Sequence, residues 1–225
     1  ADSWFWPYIK QDLDYYSLEI YNVSIDTLLQ QKELIQKKLE QVTEVAAISG
    51  DVRDEIHLLQ FAEKLEQQDW KLDLLVNNAS TLGIAPQPLV LDYPSESLHQ
   101  IFHTNVLAPI TIIQKVRKFF THRPIIINLS SDAAANHYKN WGGYGASKAA
   151  LDHFSQTLAA ENPSWKVFAF DPGDMRTDMH QAAFPGEDIS DRPLPEKEAV
   201  PSALELIFGE HPSGRYEAGK VSASV

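Results

Sequence analysis

Four short apolar runs, each closing on a cluster of polar residues, constrain this chain more than any other feature of its 225 residues. They are 45–49, followed by Gly50-Asp51-Val52; 72–76, followed by Asn77-Asn78-Ala79-Ser80; 125–129, followed by Ser130-Ser131; and 165–170, followed by Asp171-Pro172-Gly173. Runs this short and this apolar read as strands buried on both faces. The stretches between them have helical spacing, and a strand that returns parallel to its predecessor needs such a crossover. The expectation is an α/β fold: a doubly wound parallel sheet in three α/β/α layers. Its polar strand ends should line one crevice, because open parallel sheets bind ligands at the carboxyl ends of their strands.

Residues 54–67 place Ile56, Leu58, Leu59, Phe61, Ala62 and Leu65 at amphipathic spacing. A second helix, from 95 into the 110s, carries Leu98, Ile101, Phe102, Val106, Leu107, Ile110 and Ile113. Asn105 sits among these apolar residues, where a buried amide is costly unless hydrogen-bonded, so it is either a structural bridge or part of a site. Pro109 follows, where it would bend the helix and free a backbone carbonyl. A third helix runs over 144–160, the polar and proline-rich 178–195 reads as a surface loop or lid, 196–208 reads as a helix, and 214–219 supplies a last short strand.

Before residue 42 the pattern is weaker. Residues 1–16 are rich in aromatics without an amphipathic period, 17–25 alternates as a strand does, and Asp26 suits the cap of a helix over 27–41. The ten glycines begin at Gly50, so the first forty-nine residues contain no glycine-rich phosphate loop. A chain of this length needs one core, and a single domain over 1–225 with an atypical segment at 1–41 is expected. Nineteen Lys+Arg against 31 Asp+Glu give a net charge of −12, which argues against nucleic acid or an anionic membrane as a partner held by overall charge. Zero cysteines exclude disulfides and thiolate metal sites, and the eight histidines, among them His103, His122 and His153, show no ligand spacing, so no metal is expected. No run approaches eighteen apolar residues and the N-terminus lacks a basic-then-apolar order, so a cytoplasmic location is the expectation.

Tyr144 and Lys148 stand four apart at the start of the third helix, on one face of it. A free tyrosine loses its proton near pH 10, and a neighbouring cation that lowered this by roughly three pH units, about 4 kcal/mol, would let it trade protons near neutrality. A Tyr and a Lys one turn apart also occur in helices without any such role.

The setting of that pair is informative. Asp51-Val52, Asn77-Asn78-Ala79, Asn105, Ser131 thirteen residues before Tyr144, Tyr144-x-x-x-Lys148 and Pro172-Gly173-x-x-x-Thr177 together resemble, in order and spacing over about 42–219, the short-chain dehydrogenase/reductase family. The resemblance implies a Rossmann-like fold, NAD or NADP as cofactor, and interconversion of a carbonyl and a secondary alcohol. By the same resemblance Tyr144 would be the general acid/base, Lys148 would lower its pKa and hold the nicotinamide ribose, Ser131 would hold the substrate oxygen, and Asn105 would fix a water relay from Lys148. Asp51 and Val52 would flank the adenine, Asn77 and Ala79 the adenosine side, and Pro172, Gly173 and Thr177 the nicotinamide half. Seen alone, Asp51 equally suits a helix cap, and Asn77 a tie between strands.

His137, Tyr138 and Trp141, between Ser131 and Tyr144, are expected to wall the substrate pocket, with Phe184 in the position of the family's mobile substrate loop. A small, moderately hydrophobic carbonyl or alcohol compound would suit those walls. Family members associate through the helices corresponding to 95–121 and 144–160, which implies a homodimer or homotetramer. Two departures stand against the pattern: the family's Thr-Gly-x-x-x-Gly-x-Gly has no counterpart, and Ser80 replaces a glycine common after Asn-Asn-Ala. The second reading is therefore a catalytically silent scaffold or interaction protein that has lost cofactor binding.

Overall fold

The computed structural model describes Ile48 and residues 50–221. The segments expected at 1–16, 17–25 and 27–41, and all of the 45–49 run except Ile48, lie outside the described residues. Among the described residues, helix α1 (Glu55–Gln67) precedes strand β1 (Leu72–Asn77), and α2 (Ser95–Phe102) and α3 (Ala108–Val116) lead to β2 (Phe120–Leu129). Helix α4 (Gly142–Glu161) leads to β3 (Lys166–Asp171), and α5 (Asp178–Ala183) and α6 (Ala199–Phe208) lead to β4 (Gly214–Glu217). The strands pair in the order β1-β2-β3-β4, all parallel.

Alternation along the strands explains the layering. Leu75, Ile126 and Val167 join one buried cluster with Leu58, Phe61 and Leu65 of α1 and Ile112 and Val116 of α3. The next residues along, Ile127 and Phe168, point the other way and pack with Phe170 and Leu206 of α6. Both sheet faces are thus covered, as uniformly apolar parallel strands require. The register sets Asn77 opposite Asn128, Leu129 opposite Phe170, and Asp171 opposite Glu217, so the strands end together and their polar termini share one rim.

Three local features depart from the sequence expectation. In α1, capped by Asp54, whose carboxylate accepts from the Ile56 N–H, only Leu58, Phe61 and Leu65 are buried; Ile56 and Leu59 are 64% and 48% exposed. Strand β2 starts at Phe120, ahead of the apolar run, and its pairing with β1 slips between Leu72↔Phe120 and Leu74↔Ile125. Pro124 lies in that irregular stretch, where its lack of an N–H does least harm to the ladder. The 178–195 segment opens with the short helix α5, capped by the Thr177 hydroxyl accepting from the His180 N–H at 3.2 Å. No helix among the described residues is long and apolar enough to cross a membrane.

Between α2 and α3 the chain makes one wide π turn, His103–Leu107, closed by the Ala108 N–H on the His103 carbonyl. Pro109 sits just beyond it and has no N–H for the Asn105 carbonyl four residues back, so the ordinary helical bond at that step cannot form.

Candidate active site

The site forms where the first turns of α4 abut the ends of β2 and β3. Gly145 permits the approach: a Cβ there would lie 2.6 Å from the Ala133 carbonyl oxygen, in the turn that follows Ser131. With that contact made, Tyr144 and Lys148 are both buried and face Ser131 across one crevice. Asn78, Ser80 and Leu82 from the end of β1 and Pro172, Gly173, Met175 and Thr177 from the end of β3 complete its sides. Lys148 Nζ donates to the Leu129 carbonyl at 2.7 Å and lies 5.6 Å from the centre of the Tyr144 ring. One ammonium proton is thereby fixed on the strand end.

Electrostatics correct one expectation. Burial pushes the Tyr144 phenol well above its ordinary value, hydrogen bonding with the Ser80 and Ser131 hydroxyls works against this, and the Asp171 and Asp132 carboxylates add to it. The lowering expected from Lys148 is not borne out: desolvation governs the displacement, and what opposes it is the two hydroxyls rather than the ammonium. Lys148 itself is pulled from 10.5 down to about 8, because burial disfavours its charge more than Asp152 and Asp171 favour it. Tyr144 is accordingly a protonated group at neutral pH, placed to donate.

Asn105 is fully buried, and its side chain is wholly used. Its Oδ1 accepts from the Thr81 N–H at 2.8 Å and the Ser80 hydroxyl at 3.2 Å; its Nδ2 donates to the Thr81 carbonyl and the Ser147 hydroxyl, both at 3.0 Å. It therefore ties the loop after β1 to α4. Asn105→Ala should lower stability by about 2 kcal/mol, since it strands the Thr81 amide groups in the interior. A urea titration checks this; an unchanged midpoint would contradict the bridging role.

The remaining expected site residues fall into two groups. Asn77 is turned into the sheet, where its Nδ2 donates to Asn128 Oδ1 at 2.7 Å, and Asn128 donates in turn to Ser155 on α4 at 2.8 Å. The strand-tie reading of Asn77 matches this geometry, and Asn78 takes its place on the crevice. Val52 is a core residue and Ala79 packs against the same core. Burial alone would raise the Asp51 carboxyl, but hydrogen bonds from Arg53 hold it below its ordinary value, through Nε at 3.0 Å and the backbone N–H at 2.8 Å. Asp54, not Asp51, caps α1.

On the substrate side Trp141 lines the crevice, and Phe184 packs against it with ring centres 5.8 Å apart and against His180 at 4.9 Å. His137 and Tyr138 do not line it. Both are exposed, because the tight turn Asp132–Ala134 carries the following loop outward, and the Tyr138 hydroxyl is held at 2.7 Å by the Asp132 carboxylate. Asp171 lines the crevice as expected of a polar strand end, whereas sequence reading missed Asp132, Met175, Met179 and His180 as lining residues. None of those four carried a signal of its own. Among the described residues, no cluster of His, Cys, Asp or Glu could hold a metal.

A parallel sheet with a Tyr, Lys and Ser gathered over its strand ends defines a doubly wound α/β protein of the dehydrogenase type. The family model for short chain dehydrogenases matches residues 17–188, and the chain belongs to that family. It is 36% identical over 115 residues to sepiapterin reductase from Bos taurus, a match covering 49% of this chain and 43% of that protein. It is 30% identical over 186 residues to the (S)-benzoin-forming benzil reductase of Saccharomyces cerevisiae, covering 78% and 66%. The matched stretch thus spans under half the length of the sepiapterin reductases. A short chain dehydrogenase from Salmonella enterica serovar Typhi shares the fold, with TM-score 0.75 and 23% identity over 86% of this chain and 82% of that one.

Proposed function

We propose that this chain is an NAD(P)-dependent oxidoreductase that interconverts a carbonyl compound and a secondary alcohol. The observation that carries the reading is the buried Tyr144 facing Ser131 in the same crevice as Lys148. Its catalytic groups are Tyr144, Ser131 and Lys148, with Asn105 positioning the loop and helix that carry them.

The residues present suit the nicotinamide half of such a cofactor. Lys148 uses one donor on Leu129, and none of its ion pairs with a carboxylate is found among the described residues, which leaves further N–H groups for ribose hydroxyls. Gly173 has φ +74° and nothing within 4 Å of where a Cβ would stand, so this side of the crevice is open beside Pro172 and Thr177. On the family's pattern Asp51 would flank the adenine, with Val52 beneath it in the core. A bound nicotinamide supplies or accepts the hydride. Ser131 orients the substrate oxygen, Tyr144 gives that oxygen its proton or takes it back, and Lys148 supplies positive charge beside the phenol. Trp141 and Phe184 exclude water and favour an apolar or aromatic substituent on the carbonyl.

The absence of glycine before Gly50 favours the second reading, a silent scaffold. Calorimetry with NADPH and NADH decides between them, followed by turnover of a panel of aryl ketones and diketones. Micromolar cofactor binding with consumption of the reduced cofactor is expected. No binding of either cofactor would overturn the enzyme reading for this chain.

A further inference from the structure

Behind the crevice lies a charge cluster that the chemistry above does not use. Arg215, on β4, is 63 residues from Asp152 and 44 from Asp171, yet its guanidinium meets both: Nε donates to Asp152 Oδ2 at 3.0 Å and Nη2 to Asp171 Oδ2 at 2.9 Å. Nη2 also donates to the Ser131 carbonyl at 3.0 Å, and Nη1 to Glu217 Oε1 at 3.0 Å. Asp171 passes the restraint on, since its Oδ1 accepts from the Gly173 N–H at 3.0 Å. A single planar fork therefore ties the strand-end segments holding Ser131 and Gly173 to the helix holding Tyr144 and Lys148.

The charges arranged around Lys148 make the arrangement specific. Tyr144 and Asp152 face it from α4 and Asp171 from the end of β3; Asp132, in the turn after β2, acts on Tyr144, while Arg215 on β4 reaches Asp152, Asp171 and Glu217. Asp152 and Asp171 are both buried, at 7% and 4% exposure, and would be the natural ion partners of a buried ammonium. Arg215 takes both of them instead. Lys148 is left on a neutral carbonyl and lines the crevice.

We propose that Arg215 is a positioning residue: by engaging Asp152 and Asp171 together with the Ser131 carbonyl, it keeps Lys148 out of an ion pair and holds the Ser131, Tyr144 and Gly173 segments in register. The inference concerns the same site as the proposed oxidoreductase activity and rests on that reading for its catalytic meaning, but its test does not need turnover.

The test is the titration of the Lys148 ammonium, followed by NMR of lysine labelled at Cε and assigned by its disappearance in Lys148→Met. Arg215→Gln keeps hydrogen-bonding groups and removes the charge. It should move the Lys148 midpoint upward by roughly one pH unit or more, as the two released carboxylates turn to the ammonium. Arg215→Lys should hold the midpoint near the wild-type value. In catalysis Arg215→Gln should lower kcat about tenfold or more, with part restored in Arg215→Lys. If Arg215→Gln does not fold, the comparison is made in the Asp152→Asn background, where one carboxylate fewer is left bare, and the upward displacement is still expected. A folded Arg215→Gln protein whose Lys148 titrates as in the wild type overturns the proposal. Absence of turnover in the wild type would instead count against the oxidoreductase reading, and the titration would still decide the role of Arg215.

Discussion

Replacing Tyr144 by phenylalanine is expected to lower kcat/KM for carbonyl reduction by about 10²–10⁴-fold, with cofactor affinity and thermal stability close to wild type. The substitution removes one hydroxyl and keeps the ring, which packs edge-on against Trp141 with centres 5.7 Å apart. What is lost is the proton that the substrate oxygen must receive, and no other group lining the crevice stands in its place between Ser131 and Lys148. The pH dependence follows from the direction of the Tyr144 displacement. Burial, and then Asp171 and Asp132, hold the phenol protonated, so the acid form needed for reduction persists through neutral and mildly alkaline pH. Alcohol oxidation needs the phenolate and should rise as pH increases. A Tyr144→Phe protein that kept its rate would show that the proton comes from elsewhere; a fall of the wild-type reduction rate through pH 7–9 would instead follow loss of the Lys148 ammonium, pulled down to about 8.

The parts of this site that could be read from sequence are those fixed by local chemistry. Apolar runs ending in Asn, Ser and Asp told where the sheet stops, and the sheet stops there because parallel strands buried on both faces admit polar groups only at their ends. The disturbed helix at Asn105 was foreshadowed by Pro109, since a missing N–H is a property of one residue. The errors arose where the outcome depends on distant partners or on phase. In α1, Ile56 falls about 180° and Leu59 about 120° around the helix from the line through Leu58, Phe61 and Leu65, so apolar character alone overstated the buried face. Asn77 looks like a crevice residue until Asn128, fifty-one positions away, is seen to take its amide. Arg215 was only one residue of a short final strand, because nothing near it in the chain announces two buried carboxylates. The Tyr144 displacement was misjudged for the same reason: a neighbouring lysine is visible in sequence, and complete desolvation is not.

Lys148 supplies the second large effect, and it runs in two opposite directions. Burial lowers its ammonium from 10.5 in the unfolded chain to about 8 in the fold. Below pH 8 both states carry the proton, and the folded state bears the full cost of holding it, about 3 kcal/mol on this displacement. Between pH 8 and 10.5 the unfolded chain binds more protons than the folded one, so stability contributed by this group rises with pH until both states are neutral. Lys148→Met removes the cost and also strands the Leu129 carbonyl that accepts from Nζ, which returns about 1 kcal/mol of it. The variant should therefore be about 2 kcal/mol more stable than wild type at pH 7, with the gap narrowing toward pH 10, while turnover falls by at least about 10²-fold. Urea unfolding at the two pH values, beside a rate measurement, checks both halves. Equal stability at pH 7 would mean that the ammonium is solvated and the crevice wetter than its lining implies. A protein that gains stability and loses activity together would show that the fold bears an unfavourable buried cation for the sake of the site, which a silent scaffold has no reason to retain.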